Sequence, residues 1–371
     1  MTAYVEEVFN KQVWNELVQT HPHGHLMQLW QWGEFKLRMD WQVHRLGLRI
    51  NGRLAGGAQV LFKQFPGLPL SIGYIPKGPL LPLDDPPAAD VLLSAVHQTA
   101  HKHRAVFLKI EPHLPDEDRY HRFFQQRGFL PTHQTNQPRC TLLLNLSGGE
   151  AAIQAGLRKK TRKLIHRALK EGVEITEGSA ADLNDFYRVI SDTTRLKGIP
   201  AHHADFFFQA WNALAPDGHL HLFLARRNGE AVSGKLVAQF GDTSMHIWGG
   251  TSPAGREVFA SYLLQWESIR WAIQQGLKYC DLWGIPDEIA GMNCHQLDAF
   301  KDRTDGLWGV YLFKRGFGGE IVCYTGAYDY PYLRPIYRLG TTLFQQNRIV
   351  DRASVWLEMF RRSTETTAEG E

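Results

Sequence analysis

This chain is written twice, and that constrains its fold more than any other feature. Residues 48–62, LRINGRLAGGAQVLF, and residues 224–238, LARRNGEAVSGKLVA, each set Asn-Gly between two apolar runs. In both, a second glycine (Gly57, Gly234) follows six residues after the asparagine. Asn-Gly supplies the positive φ angles of a tight turn, so each stretch reads as a hairpin. The downstream order repeats as well. After the first hairpin come SIGYIPKGP (71–79), the helical stretch DVLLSAVHQTAHKHR (90–104) and the apolar strand AVFLKIEP (105–112). After the second come MHIWGGTS (245–252), SYLLQWESIRWAIQQG (261–276) and KYCDLWGIP (278–286). Gly52 to Pro112 spans 60 positions and Gly229 to Pro286 spans 57, and each copy then reaches an Arg-Gly-Phe, at 127–129 and 315–317.

Hairpins that feed a strand–helix–strand crossover imply a mixed sheet covered by helices. The order suits the N-acyltransferase (GNAT-like) fold of acetyl-coenzyme A enzymes. The expected class is therefore α/β, a tandem duplication of that fold with a ligand cleft between the domains. A length of 371 residues, more than one core usually supports, agrees with two domains. The boundaries read as 1–146 and 147–319, with 320–362 packing back on the first domain. The acidic tail 363–371 reads as disordered.

Composition excludes more than it selects. The formal net charge of +3 decides no partner by itself. The four cysteines (Cys140, Cys280, Cys294, Cys323) contain no C-x-x-C pair and make no disulfide framework, so a reducing cytoplasm is expected. The N-terminus lacks the basic-then-apolar order of a signal peptide, and no apolar run approaches the roughly 20 residues that span a bilayer. His21-Pro-His-Gly-His25 has no cysteine or carboxylate at ligand spacing and reads as a structural loop, so no metal is expected. Nucleophile elbow, Walker loop and H-E-x-x-H are all missing.

The two copies differ where chemistry would sit. Phe313-Lys314 precedes the second Arg-Gly-Phe, whereas Gln125-Gln126 precedes the first. A lysine held beside Gly316, Gly318 and Gly319, where backbone amides approach a ligand without Cβ interference, suits a developing oxyanion or a phosphate. The bland alternative is a surface lysine. A second cationic feature opens the second copy: residues 157–172 hold seven Lys or Arg against one Glu. Leu157, Leu164, Ile165, Ala168 and Leu169 fall at helical spacing, so one face packs and the rest is cationic. Arg158, Lys159, Lys160, Arg162, Lys163 and Arg167 are the candidates for tRNA or phosphate contact, and nothing in the run reads bases.

Taken in order, W32-G-E-F-K36, Y74-I-P-K-G-P79, K170-E-G-V173, W248-G-G-T-S252, Y279-C-D-L-W-G-I285 and F313-K-R-G-F317 resemble the Fem (FemABX) family of aminoacyl-tRNA-dependent peptidoglycan bridge enzymes, over about residues 21–330. The resemblance implies two acetyltransferase-type domains. It also implies transfer of an amino acid from charged tRNA to the side-chain amine of the third stem-peptide residue, on a UDP-linked or lipid-linked muropeptide. No cofactor and no DNA enter, and the enzyme is expected in the cytoplasm, peripheral to the inner membrane face. By resemblance Lys314, with Phe313, serves the oxyanion, Lys36 binds phosphate and Glu111 lies near the acceptor. An aminoacyl ester is already activated, so orientation, charge stabilisation and proton removal suffice. For proton removal no His or carboxylate stands out, and the resemblance implies a backbone carbonyl and the tRNA ribose hydroxyl.

This chain departs from the pattern in three ways. His202 and Phe206 stand where some relatives have arginine and tyrosine, and Trp248 stands at a strand end often written with tyrosine. A histidine is only partly charged at neutral pH and holds a diphosphate less firmly. Residues 224–240 also leave no room for the long helical arm of some relatives. Two other classes compete: an acyl-coenzyme A N-acyltransferase, and a non-catalytic scaffold binding RNA or membrane through the basic helix. Against the first, T251-S-P-A-G-R-E257 lacks the Gln/Arg-x-x-Gly-x-Gly cradle for a pyrophosphate.

Overall fold

A computed structural model of the chain describes residues 2–197, 202–300 and 302–346. The expected tail at 363–371, and residues 347–362 of the segment expected to pack back on the first domain, lie outside the described residues. The first unit begins with β1 (Ala3–Glu7), α1 (Lys11–Thr20) and α2 (Trp30–Leu37). The first hairpin follows as β2 (Gln42–Ile50) and β3 (Arg53–Gln64), then β4 (Ser71–Pro76), α3 (Pro86–Lys102), β5 (Ala105–Glu111), α4 (Asp118–Gln125) and β6 (Leu130–Thr132). Asn51 and Gly52 take φ of +49° and +82°, the pair of positive angles that the turn demands. Asp85 caps α3 by accepting from the Ala88 amide, and Pro86 and Pro87 open the helix where no amide is needed.

The second unit runs through β7 (Cys140–Asn145), α5 (Gly149–Gly156), α6 (Lys159–Lys170), β8 (Val173–Gly178), α7 (Leu183–Lys197) and α8 (Ala204–Leu214). The second hairpin, β9 (Leu220–Arg227) and β10 (Glu230–Phe240), turns on Asn228 and Gly229 at φ +52° and +83°. Then come β11 (Thr243–Thr251), α9 (Pro253–Glu257), α10 (Ala260–Gln274), β12 (Tyr279–Ile285), α11 (Cys294–Ala299), α12 (Trp308–Lys314) and β13 (Glu320–Cys323). The chain then returns to the first unit as β14 (Ala327–Pro331) and α13 (Arg334–Gln346).

Each unit holds a seven-stranded sheet, in the orders β1-β2-β3-β4-β5-β14-β6 and β8-β9-β10-β11-β12-β7-β13. The orders match strand for strand, and in each the fourth and fifth strands pair in parallel. The sixth place is filled by exchange: β14 joins the first sheet from beyond the second copy, and β7 joins the second sheet although it follows the first copy. The units therefore divide at Gln137/Pro138 and Cys323/Tyr324, and the boundaries read from sequence at 146 and 320 shift to those points. The physical reason is hydrogen bonding: β7 and β13 pair with each other, and β7 also pairs with β12.

Separate apolar cores fill the units. Phe62, Ile75, Leu92, Leu108, Phe124 and Tyr328 sit in the first. Leu144, Ile165, Leu263, Ile269, Leu282 and Trp308 sit in the second, together with Trp266 and Trp271 of α10. Fully burying one aliphatic side chain contributes about 1.5–3 kcal/mol, so these cores dominate stability. Cys140 and Cys323 oppose each other in the β7–β13 register and are joined as a disulfide. The expectation of no disulfide from four scattered cysteines is thus corrected, because strand pairing brings together residues 183 positions apart.

Candidate functional site

The two parallel strand pairs differ at the point that matters. β4 and β5 stay paired from Ser71↔Ala105 to Pro76↔Glu111. β11 and β12 pair only at Thr243↔Tyr279, Ser244↔Cys280 and Met245↔Asp281, although β11 continues to Thr251 and β12 to Ile285. Their ladder stops after three positions and leaves a wedge. One wall carries Trp248, Gly249 and Gly250, the other Trp283 and Gly284. A bulge in β10–β11 pairing between Leu236 and Ala238, and another in β12–β7 pairing between Asp281 and Gly284, produce the divergence.

Trp283 has φ +65°, a left-handed angle rare for a bulky residue and of the kind that clusters at functional sites. Its amide donates to Asp281 Oδ1 at 2.6 Å, and Thr141 Oγ1 donates to the same carboxylate. This local twist presents two carbonyls to Lys314. The Lys314 Nζ donates to the Trp283 oxygen at 2.9 Å and to the Gly284 oxygen at 2.7 Å. Lys314 ends α12, whose Trp308 and Tyr311 anchor it in the core. Phe313 packs edge-on against Tyr262 and against Phe317, at ring separations of 4.9 and 5.3 Å.

The basic helix α6 is tied to this same segment. The Arg158 amide donates to the Gly316 carbonyl at 3.0 Å, and a Cβ at Gly316 would lie 2.3 Å from Thr161 Oγ1. Gly316 is therefore required by close approach. Thr161, Ile165 and Ala168 form the packed face, while Lys159, Lys160, Arg162, Lys163 and Arg167 are exposed. Leu169, expected on the packed face, is instead exposed. Arg167 is partly engaged, over the Phe259 ring at 4.6 Å and 3.7 Å from Glu171. The cationic surface thus begins on the turn of chain that carries Lys314.

Three further sequence candidates meet on the β11 wall. His202 stacks on Phe206 with ring centroids 4.0 Å apart and planes 7° apart. Phe206 meets Trp248 edge-on at 5.3 Å. The histidine and the two aromatics that depart from the family pattern therefore form one patch.

In the first unit, Lys36 and Glu111 make separate sets of contacts. The Lys36 ammonium lies over the Phe35 and Trp32 rings, at 4.4 and 5.2 Å. Glu111 is buried at the end of β5 and accepts from Tyr74 Oη, the Asn136 amide and the Gln137 amide. Burial pushes its carboxyl up, opposed by nearby Lys109 and by these donors. Those donors make Glu111 a staple for the 136–137 turn. His25, read as part of a loop, caps a short helical turn through Nδ1, which accepts from the Met27 amide at 3.1 Å.

Sequence reasoning passed over four residues beneath the wedge. Lys235 on β10 donates to Gln265 Oε1 and lies 3.3 Å from His246 Nδ1. Gln265 Nε2 donates to His246 Nδ1 at 2.7 Å, and His246 Nε2 is 3.3 Å from Cys280 Sγ. Burial drives the Lys235 amine down to about 7, Lys314 pushing the same way and Cys280 opposing. Burial also lowers His246 well below its usual value and raises the Cys280 thiol to about 12. The available signal was a lysine in the middle of AVSGKLVA, a run otherwise apolar or small.

Comparison with known proteins gives consistent likenesses. The FemAB family profile matches residues 9–127, and an acetyltransferase (GNAT) domain profile matches residues 154–293. A lipid II:glycine glycyltransferase of Staphylococcus haemolyticus is 22% identical over 87% of this chain and 91% of its own length. The protein of that name from Staphylococcus aureus (strain USA300) is 21% identical, with the same coverage. Among solved structures, FemX superposes with a TM-score of 0.78 at 20% identity, covering 91% of this chain and 99% of its own. A tandem GNAT protein from the clavulanic acid biosynthesis pathway gives 0.55 at 11% identity over 88% of this chain and 98% of its own. The tandem GNAT-like fold is therefore the fold of this chain.

Proposed function

We propose that this chain, a member of the FemAB family, moves an aminoacyl group from charged tRNA to the side-chain amine of the third stem-peptide residue of a peptidoglycan precursor. One observation carries the reading. The Lys314 ammonium is held on two main-chain carbonyls of a wedge that only the second copy opens, on a segment locked to the basic helix. A fixed cation beside a developing oxyanion acts without reorganising, the largest single term in many acyl transfers. The exposed cations of α6 suit the tRNA phosphate backbone, and the His202–Phe206–Trp248 patch suits part of the acceptor. Lys36 binds phosphate in this reading. Glu111, whose oxygens already hold the 136–137 turn, acts there only through position.

The acceptor is the lipid-linked precursor, in keeping with the glycyltransferases this chain is similar to, and the protein works peripherally at the membrane surface. Among the described residues no helix is long and apolar enough to cross a membrane. Coenzyme A chemistry fits less well. A pyrophosphate needs open amides where the helix after β11 begins. There Pro253 has no N–H, the Gly255 amide is taken by Ser252 Oγ, and the Arg256 amide by the Ser252 carbonyl.

The test is a transfer assay read by mass spectrometry, with a mixed pool of charged tRNA offered UDP-linked and lipid-linked muropeptides. One added aminoacyl mass on the lipid-linked acceptor is expected. A product on the UDP-linked acceptor alone overturns the acceptor assignment, and no product with either overturns the reading.

A further inference from the structure

The buried polar cluster beneath the wedge has no role in the reading above, yet the reaction has an unfilled one. An acceptor amine is an ammonium ion in water. When it displaces the tRNA ribose from the aminoacyl ester, the C–N bond forms and the ester C–O bond breaks. The nitrogen gives up two protons, and the ribose oxygen takes one. One proton per turnover is left over. A backbone carbonyl is too weakly basic to hold it, so a proton acceptor is required.

We propose that Lys235 is that acceptor: an uncharged amine at the apex of the β11–β12 wedge that takes the surplus proton and returns it to solvent. The proposal rests on the transferase reading. Three observations place it there. First, Lys235 lies opposite Gly249 in the β10–β11 register, and its Cγ is 3.7 Å from where a Gly249 Cβ would sit. Gly249 is on the stretch of β11 beyond its ladder with β12, so the lysine stem runs along the wedge wall. Its amine reaches His246 and, through it, Cys280, where the two strands part. Second, a neutral amine has two N–H bonds and a lone pair. One N–H goes to Gln265 Oε1 and the other shares the single Nδ1 lone pair of His246 with Gln265 Nε2, which leaves the amine lone pair for a proton.

Third, among the described residues the cluster offers a charged Lys235 no counter-ion. The groups facing it are Gln265 from α10, His246 from β11, Cys280 from β12, Phe223 across β9, and Lys314 as a like charge from α12. His246 Nδ1 faces two donors and must be the acceptor, so its proton sits on Nε2 toward Cys280 and the ring is neutral. Neither His246 nor Cys280 is poised to exchange a proton near neutrality, because burial holds one neutral and the other protonated. Lys314 stays the cation that serves the oxyanion. Lys235, once protonated, is repelled by Lys314 and releases the proton for the next cycle.

The test follows transfer against pH for the full chain, with wild type, Lys235→Met and Lys235→Ala. For wild type, kcat/KM is expected to rise with unit slope and level off above about pH 7. Lys235→Met is expected to lose about 10²- to 10⁴-fold and the pH break with it, the range for a general base. Added methylamine is expected to restore part of the Lys235→Ala rate in proportion to its concentration. A Lys235→Met enzyme within a few-fold of wild type and with the same break overturns the proposal. A second measurement needs no activity: ¹³C NMR of reductively methylated wild-type protein, with the Lys235 signal assigned by its loss in Lys235→Met. Titration near neutrality is expected, and titration near the free-lysine value overturns the assignment even if transfer is observed. Wild-type protein that transfers nothing overturns the transferase reading, and the NMR titration then reports on the amine alone.

Discussion

Replacing Lys314 by methionine separates a catalytic lysine from a structural one, because the two roles predict different magnitudes. The ammonium donates to the carbonyls of Trp283 and Gly284 at 2.9 and 2.7 Å. A hydrogen bond from a charged donor contributes about 1.5–3 kcal/mol, so losing two costs roughly 3 kcal/mol or more. For a unit of this size that lowers Tm by about 6–12 °C. With a starting stability of about 8 kcal/mol or more, inside the usual range of about 5–15 kcal/mol, the variant stays more than nine-tenths folded at 25 °C even at a loss of about 6 kcal/mol. Unfolding therefore explains only a trivial loss of rate. Loss of an oxyanion donor costs about 10²- to 10³-fold in kcat. Single-turnover transfer, thermal melting and tRNA binding on one preparation are expected to show a 10²- to 10³-fold drop in rate, a modest fall in Tm and tRNA affinity within a few-fold. A rate within about threefold of wild type refutes the oxyanion role. So does a loss of tRNA binding that matches the loss of transfer.

Gly316→Ala places a methyl group 2.3 Å from Thr161 Oγ1 and pushes α6 away from the Lys314 segment. It is expected to lower Tm and kcat together, with Thr161→Ala restoring part of both, and a neutral Gly316→Ala refutes the close approach. Changing the exposed Lys159, Lys160 and Lys163 to glutamine is expected to reduce the slope of log K for tRNA against log salt by about two, roughly 0.7 for each phosphate that is no longer neutralised. An unchanged slope removes α6 from the tRNA surface. Alkylation of denatured, unreduced protein, mapped by peptide mass spectrometry, is expected to leave Cys140 and Cys323 unmodified, because they form a disulfide. Modification of both refutes the bond.

The duplicated hairpin, strand, helix and strand were legible because their signals are local: an Asn-Gly turn, apolar strand runs and one helical stretch per copy. What sequence order hid was partner choice. β7 follows the first copy and β14 the second, yet each hydrogen-bonds into the other copy's sheet, and no local pattern reports that exchange. The same blindness hid the Cys140–Cys323 pair. At the site, the phenylalanine–lysine difference between the copies pointed to Lys314, while its carbonyl partners depend on a bulge that only the register shows. Leu169 was misplaced because helical spacing marks a broad stripe, and α6 packs only its narrow centre at Thr161, Ile165 and Ala168. Lys235 was visible as a lone charge in an apolar strand, but its neighbours come from β11, β12 and α10.

That lone charge makes a prediction about stability that is independent of any substrate. An unfolded lysine titrates near 10.4, whereas Lys235 in the fold titrates at about 7, chiefly through burial. Below pH 7 both states are protonated and the folded state bears the whole penalty. Between pH 7 and about 10 the unfolded chain holds a proton that the folded chain lacks. Stability therefore rises with pH across that window, by at most about 1.4 kcal/mol per unit. Partial exposure of the side chain screens the charge and narrows the gap between the two titrations, so the total gain across the window falls below the full-shift limit. Lys235→Met removes the group from the balance. The variant is expected to be more stable than wild type at pH 6–7 and to converge with it toward pH 9, read from denaturant midpoints at each pH. A residue whose removal stabilises the fold while abolishing turnover is kept for function, since function is where natural proteins retain destabilising groups. A purely structural lysine gives the opposite result: Lys235→Met would be less stable at every pH, with a slope parallel to wild type, and the wedge would have no amine to accept the proton.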